Sequence, residues 1–186
     1  MFDWGKHLFL GYIVSPWRIR GITKQLKMEK FTRSQIRGIA ADTYAKYNQT
    51  LSTFQISSMS SYVADSVIGE LRSKFGKTVL PPGSKPTWEA QNLKTSLLNY
   101  VIIQTPAPLN LHFIQATVRF NSNQKFAVYD KSGALLLGSE EYKPVQDTWV
   151  IEKILEKPEL PWYIVATSLE HPDDVKVPKP SNTFEM

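Results

Sequence analysis

The chain has no cysteine. That excludes disulfides, thiolate metal sites and cysteine nucleophiles, and it leaves the redox compartment open. Histidine is scarce. His7, His112 and His171 are scattered, and none has a neighbour at metal-ligand spacing, so no metal site is expected. A G-x-S-x-G elbow, a Walker A loop and a G-x-G-x-x-G turn are also absent. The usual signatures of acyl transfer, nucleotide hydrolysis and dinucleotide binding go with them, and no cofactor is expected. No apolar run approaches the ~20 residues that span a bilayer. The longest is Leu8 to Val14, which follows Lys6 as a weak signal core would. Ser15-Pro16-Trp17 then stands where a small-residue cleavage site belongs, and residues 1–15 are not Arg-rich like an organellar presequence.

What is present suits one domain with extensions: 186 residues, 42% hydrophobic and 21% charged. The charge is unevenly placed. Residues 1–47 carry nine Lys/Arg against Asp3, Glu29 and Asp42, whereas the rest of the chain is nearly balanced. A basic excess confined to one quarter suits a polyanion, either nucleic acid or an anionic membrane; it also suits a solvated helix face. Seven of the cations lie within residues 17–37: Arg18, Arg20, Lys24, Lys27, Lys30, Arg33 and Arg37. Arg20, Lys24 and Lys27 share one helical face, with Ile19, Ile22 and Leu26 toward another. Phosphate contacts from such a face give affinity without base readout, and no DNA partner is expected. Before it, residues 2–15 mix aromatics and aliphatics with helical spacing of Trp4, His7, Leu8 and Gly11. Trp4, Phe9 and Trp17 are candidates for membrane or partner contact; the alternative is a first helix packed on the core.

Thr32 or Ser34 can cap the next helix, whose Ile36, Ala40, Tyr44, Tyr47 and Leu51 follow a helical rhythm. A second helix is predicted from Ser57-Ser58 through Tyr62, Val63, Val67, Leu71 and Phe75 to a stop at Gly76. Leu80 to Thr87 reads as a loop, Trp88 to Tyr100 is ambiguous, and Thr95 to Thr105 reads as a strand ended by Pro106-Ala107-Pro108.

From Leu111 to Ser168 the period changes to two. His112, Ile114, Ala116, Val118 and Phe120 share one face of an extended chain, with Gln115, Thr117 and Arg119 on the other. Asp130-Lys131-Ser132-Gly133 is a tight reversal. Val145, Asp147, Trp149, Ile151 and Leu155 then alternate with Gln146, Thr148, Glu152 and Glu156, and Pro158-Glu159-Leu160-Pro161 turns the chain into Trp162 to Thr167. Connections this short join antiparallel strands. The expected fold is therefore α+β, an antiparallel meander with N-terminal helices across it. Residues 170–186 form a Pro-rich polar tail without periodicity.

Catalytic candidates are few. Asp147 and His112 would serve as an acid–base pair if the sheet brought them together. Trp149, Trp162, Tyr142 and Tyr163 suit base stacking, and equally suit core or cross-strand packing. Glu140-Glu141 and Asp173-Asp174 read as solvated charge.

The run TVRFNSNQKFAVYDKSGALLLGSEE, with Ala127-Val128-Tyr129-Asp130 ahead of Gly133 and Gly138, is similar to the mitochondrial translocase-tether-like domain family. So is DTWVIEKILEKPELPWYIVATSL, with Glu152-Lys153 and the Pro158…Trp162 connection. Ala40 and Tyr44 fit the family's A-x-x-x-Y helix. The resemblance covers most of residues 31–169 and is nearest the mitoribosomal members. It implies an NTF2-like cone, a curved antiparallel sheet whose concave side is closed by helices, often around an apolar pocket. Residues 1–30 are then an aromatic and basic extension, 31–169 the domain and 170–186 a tail. The implied role is non-enzymatic, in the mitochondrial matrix at the inner membrane. The protein would hold the large ribosomal subunit's polypeptide exit to that membrane and its insertase, with residues 18–37 contacting rRNA or anionic lipid. The alternatives are an import-motor adaptor and a small-molecule enzyme or binding protein using the cone pocket.

Overall fold

In the computed structural model, residues 12–14, 24, 31–76 and 78–169 are described. The alternation in the second half sets the sheet. Strand β3, His112–Tyr129, buries Ile114, Ala116, Val118, Phe120 and Ser122 on one face and leaves Gln115, Thr117 and Arg119 half-exposed on the other. Strand β5, Lys143–Ile154, runs antiparallel beside it, with Val118 opposite Trp149 and Phe120 opposite Asp147. The two inward sets therefore meet on one face, as their spacing requires.

The reversal at residues 130–133 leads into a short β4, Leu135–Gly138. The Asp130 carboxylate accepts the Ser132 and Ala134 N–H groups at 2.8 and 2.9 Å, and Gly133 supplies the φ of +89° that a side chain resists. β6, Tyr163–Leu169, pairs with β5 after the Pro158–Pro161 turn. The sheet order is β1-β2-β3-β5-β6, all antiparallel, with β4 added on β3. Register shifts at Gln91/Lys94, Leu97/Asn99 and Val150/Ile151 bend it.

Strand β2 spans Lys85–Gln104, well beyond the predicted Thr95–Thr105. Two causes hid it. Its register shifts break the period of two, and Asn92 adopts φ of +55° at the first of them. It is also an edge strand over most of its length, so it tolerates Pro86 and a polar outer row. The short β1, Tyr12–Val14, pairs with Ile102–Gln104. At residues 12–14 this replaces the expected helix: an aromatic followed by two β-branched residues fits the open edge of β2 better than a helical turn. Residues 2–11 lie outside the described residues.

Helix α1, Arg33–Ser52, starts at the Thr32 cap. Thr32 Oγ1 accepts the Gln35 N–H at 3.2 Å, and Gln35 Oε1 accepts the Thr32 N–H at 2.8 Å, a reciprocal capping box. Its Ile36, Ala40, Tyr44 and Tyr47 are buried against the sheet; Leu51 is half-buried. The predicted second helix is divided. A 3₁₀ segment covers Ile56–Ser61, and α2 covers Asp65–Phe75. Between them Val63 forms a parallel bridge to Ile164, fixed by Ala64 N–H to Ile164 O and Ile164 N–H to Tyr62 O, both 2.9 Å. Sheet pairing on β6 thus interrupts a helical pattern that looks continuous in sequence. Residues 170–186 lie outside the described residues.

Candidate functional site

Of the seven predicted cations, Lys24, Arg33 and Arg37 are described, and all three are exposed. Arg18, Arg20, Lys27 and Lys30, with Trp4, Phe9 and Trp17, lie outside the described residues. Arg33 and Arg37 stand one turn apart at the start of α1, whose first turn holds no acidic residue. Arg33 leans over the Tyr100 ring, with its guanidinium carbon 5.9 Å from the ring centroid. A helix start carries partial positive charge, so the Arg33 guanidinium in the first turn is disfavoured by roughly 0.3–1 kcal/mol until an anion joins it, and Arg37, a turn further in, by less.

The acid–base candidates are kept apart. Asp147 lies opposite Phe120, whereas His112 begins β3 eight residues earlier, about 26 Å along the strand. His112 Nδ1 instead meets Glu156 Oε1 at 2.6 Å, and the His112 N–H reaches both carboxylate oxygens at 3.0 Å. With Leu155 N–H donating to His112 O at 2.8 Å, this clasp ties the start of β3 to the end of β5.

Asp147 has partners that the sequence did not name. It is 3% exposed, and its Oδ2 accepts the Tyr44 hydroxyl. Gln124 Nε2 donates to the Tyr44 oxygen at 2.5 Å and to Ser122 Oγ at 2.8 Å, while Trp88 Nε1 donates to Gln124 Oε1 at 2.8 Å. Burial, then the Asp147 charge, pushes the Tyr44 hydroxyl far above the usual tyrosine range. Burial likewise raises the Asp147 carboxyl, against the lowering effect of the Tyr44 bond. Asp147 Oδ1 and Trp149 Nε1 are buried without a hydrogen-bond partner. The signal in the sequence was an acid at an inward-facing position: a buried carboxylate requires a donor.

An aromatic cluster occupies the space where the resemblance implied a pocket. Tyr44 stacks on Phe120 with ring centroids 4.2 Å apart, and Trp149 tilts against Tyr44 at 4.6 Å and meets Tyr47 edge-on at 4.7 Å. Such pairs contribute about 0.5–1.5 kcal/mol each beyond burial. Trp149 and Trp162 are core residues, the latter set edge-on to Phe31 at 5.5 Å, so neither offers a stacking face to a base. Tyr142 and Tyr163 are half-buried, and the Tyr142 hydroxyl donates to Glu89.

Two open clefts lie elsewhere. One of about 460 Å³ is lined by Trp88, Glu89 and Tyr142 beside Gln49 of α1. Another of about 680 Å³ has Asn92, Asn121, Asn123 and Gln146 at its walls. Asp147 lines neither. Among the described residues no group of three His or acidic side chains could hold a metal ion, and no helix is long and apolar enough to cross a membrane.

These features define an α+β protein built on one curved antiparallel sheet, with helices covering one face. No family model and no curated protein matches the chain.

Proposed function

We propose that the protein is a non-enzymatic, mitoribosome-associated tether. It works in the mitochondrial matrix, peripheral to the inner membrane, and holds the large subunit's polypeptide exit site close to the insertase. The observation that carries this reading is the exposed pair Arg33 and Arg37 at the start of α1, with exposed Lys24 before it and no acidic residue in the first helical turn. Cations placed against the helix dipole lower stability when unpaired, and rRNA phosphates would offset that cost. Two further features support a scaffold. The segments similar to the translocase-tether-like family, residues 117–141 and 147–169, lie across β3 to β6 of one sheet. The carboxyl best placed for catalysis, Asp147, is sealed beneath Tyr44 and Trp149, away from both clefts.

The test is co-sedimentation with purified mitochondrial large subunits across a salt series. Wild type should bind at low salt and dissociate steeply as salt rises. A variant with Lys24, Arg33 and Arg37 changed to Gln should bind more weakly, with a salt slope shallower by about two to three. Absence of binding at every salt concentration sinks the proposal and favours an import-motor adaptor.

A further inference from the structure

The cleft of about 680 Å³ is made by an irregularity in the ladder. Gln91 pairs with Asn123 and Lys94 with Asn121, so Asn92 and Leu93 together oppose Ser122 alone. Such a bulge bends the strand and re-aims its side chains. Asn92, with φ of +55°, and Lys94 line the cleft from β2; Asn121, Asn123 and Gln146 line it from β3 and β5. Leu93, Pro144 and Val145 are the apolar part of the lining, and neither an aromatic ring nor a carboxylate belongs to it.

Arg119 stands at the rim. It precedes Asn121 on the same face of β3, about 7 Å along the strand, with Ser96 and Thr148 as its cross-strand neighbours. Lys94, opposite Asn121, is its diagonal neighbour at about 7–8 Å. Arg119 is half-buried, and its Nε is buried without an acceptor. Among the described residues no hydrogen bond or ion pair engages the Arg119 guanidinium, the Lys94 ammonium or the side-chain amides of Asn92, Asn121, Asn123 and Gln146. The described carboxylates do not answer these cations. Asp147, between Gln146 and Thr148, points to the helices and is bonded to Tyr44. Glu152 is bonded to Gln115, and Glu89 is paired with Lys125 and Tyr142. Exposed Glu141 lies five residues before Gln146, about 16 Å along β5.

We propose that this cleft binds a small phosphorylated sugar or polyol, its phosphate on Arg119 and Lys94 and its hydroxyls on the amides. A half-buried guanidinium without an acceptor is costly, and a phosphate supplies several at once. Two cations on a shared diagonal can grip one phosphate from two sides. Side-chain amides both donate and accept, as neighbouring hydroxyls require. The volume suits a small molecule. The lining also argues against other occupants. A nucleobase finds no ring to stack on, and an acyl chain finds too little apolar wall. The site uses none of Lys24, Arg33 and Arg37, so it is separate from the proposed ribosome contact.

The test is calorimetric titration of the full-length protein with ribose 5-phosphate, glycerol 3-phosphate, ribose and inorganic phosphate, with side-chain amide NMR signals followed in parallel. At least one of the two phosphorylated probes should saturate a single site, about tenfold more tightly than inorganic phosphate, while ribose alone gives no heat. The moving signals should be those of Asn92, Asn121, Asn123 and Gln146. Arg119→Gln should weaken binding about tenfold or more. Arg119→Lys, which keeps the charge and controls for a folding defect, should retain more affinity than Gln. Asn121→Ala should weaken the phosphorylated probe and leave inorganic phosphate unchanged. No saturable binding of either phosphorylated probe, or binding that Arg119→Gln leaves intact, overturns the proposal. So does a short single-stranded RNA that binds through Arg119 while both small probes fail, which would make Arg119 a ribosomal contact. Large-subunit sedimentation is scored separately on Lys24, Arg33 and Arg37, so the tether reading can fail while the cleft stands, and the reverse.

Discussion

Asp147 is the residue whose environment has the sharpest consequence. Burial holds its carboxyl above the ordinary range, so the folded chain keeps a proton that the unfolded chain has already released. The contribution of Asp147 to stability is therefore greatest below the ordinary carboxylate range, falls as pH rises from there, and levels off above the raised value. Urea midpoints across a pH series should show this fall in wild type and a shallower one in Asp147→Asn. Glu152, whose carboxyl is also raised by burial, with Gln115 Nε2 donating to it at 2.6 Å, adds a slope of the same sign, whereas Asp130 and Glu89, held low by their hydrogen bonds, act the other way. Tyr44→Phe removes the donor to Asp147 and the acceptor of Gln124, and should cost about 1–3 kcal/mol in urea unfolding. A double-mutant cycle with Asp147→Asn should give coupling of about 0.5–3 kcal/mol, whereas simple additivity would mean the bond contributes nothing. Gly138 is a backbone case. Its φ is +90°, and a Cβ there would run into the Phe126 carbonyl, so Gly138→Ala should lower stability by about 1–3 kcal/mol.

At the scale of elements, α1 combines a good cap with a poor charge. Thr32 and Gln35 satisfy each other's backbone donors, yet Arg33 sits at the positive end of the dipole, with Arg37 one turn on. Arg33→Glu should raise thermal stability, by about 0.5–1 kcal/mol, while weakening large-subunit binding. A change that stabilised the fold and left sedimentation untouched would remove the argument for the segment. Legibility in the sequence also divides by element. β3, β5 and the Asp130 turn were readable because their inward positions are apolar save Ser122 and Asp147, and the turn demands Asp and Gly. α1 was readable from its period and cap. β2 was not, since two register shifts scramble its alternation and its outer edge is polar. The division between the 3₁₀ segment and α2 was invisible too, because its cause is Ile164, a hundred residues away in sequence.

For the whole molecule, a site is harder to read than a fold because pairs of residues, not patterns, make it. Asp147 stood out as an inward acid, but nothing local links it to Tyr44, Gln124 or Trp88, and the guess of His112 failed on strand register. The uneven charge was legible from composition alone. A salt titration of large-subunit binding should respond to substitution of Arg33 and Arg37. The bond between Tyr44 and Asp147 spans 103 positions. During synthesis α1 meets β2 and β3 first, and Asp147 and Trp149 of β5 complete its cover only later. Folding of this chain should be slow and should finish late. A nascent chain stalled before Lys143 would leave Tyr44 and Tyr47 without Asp147 and Trp149, and so partly open to chaperones and proteases.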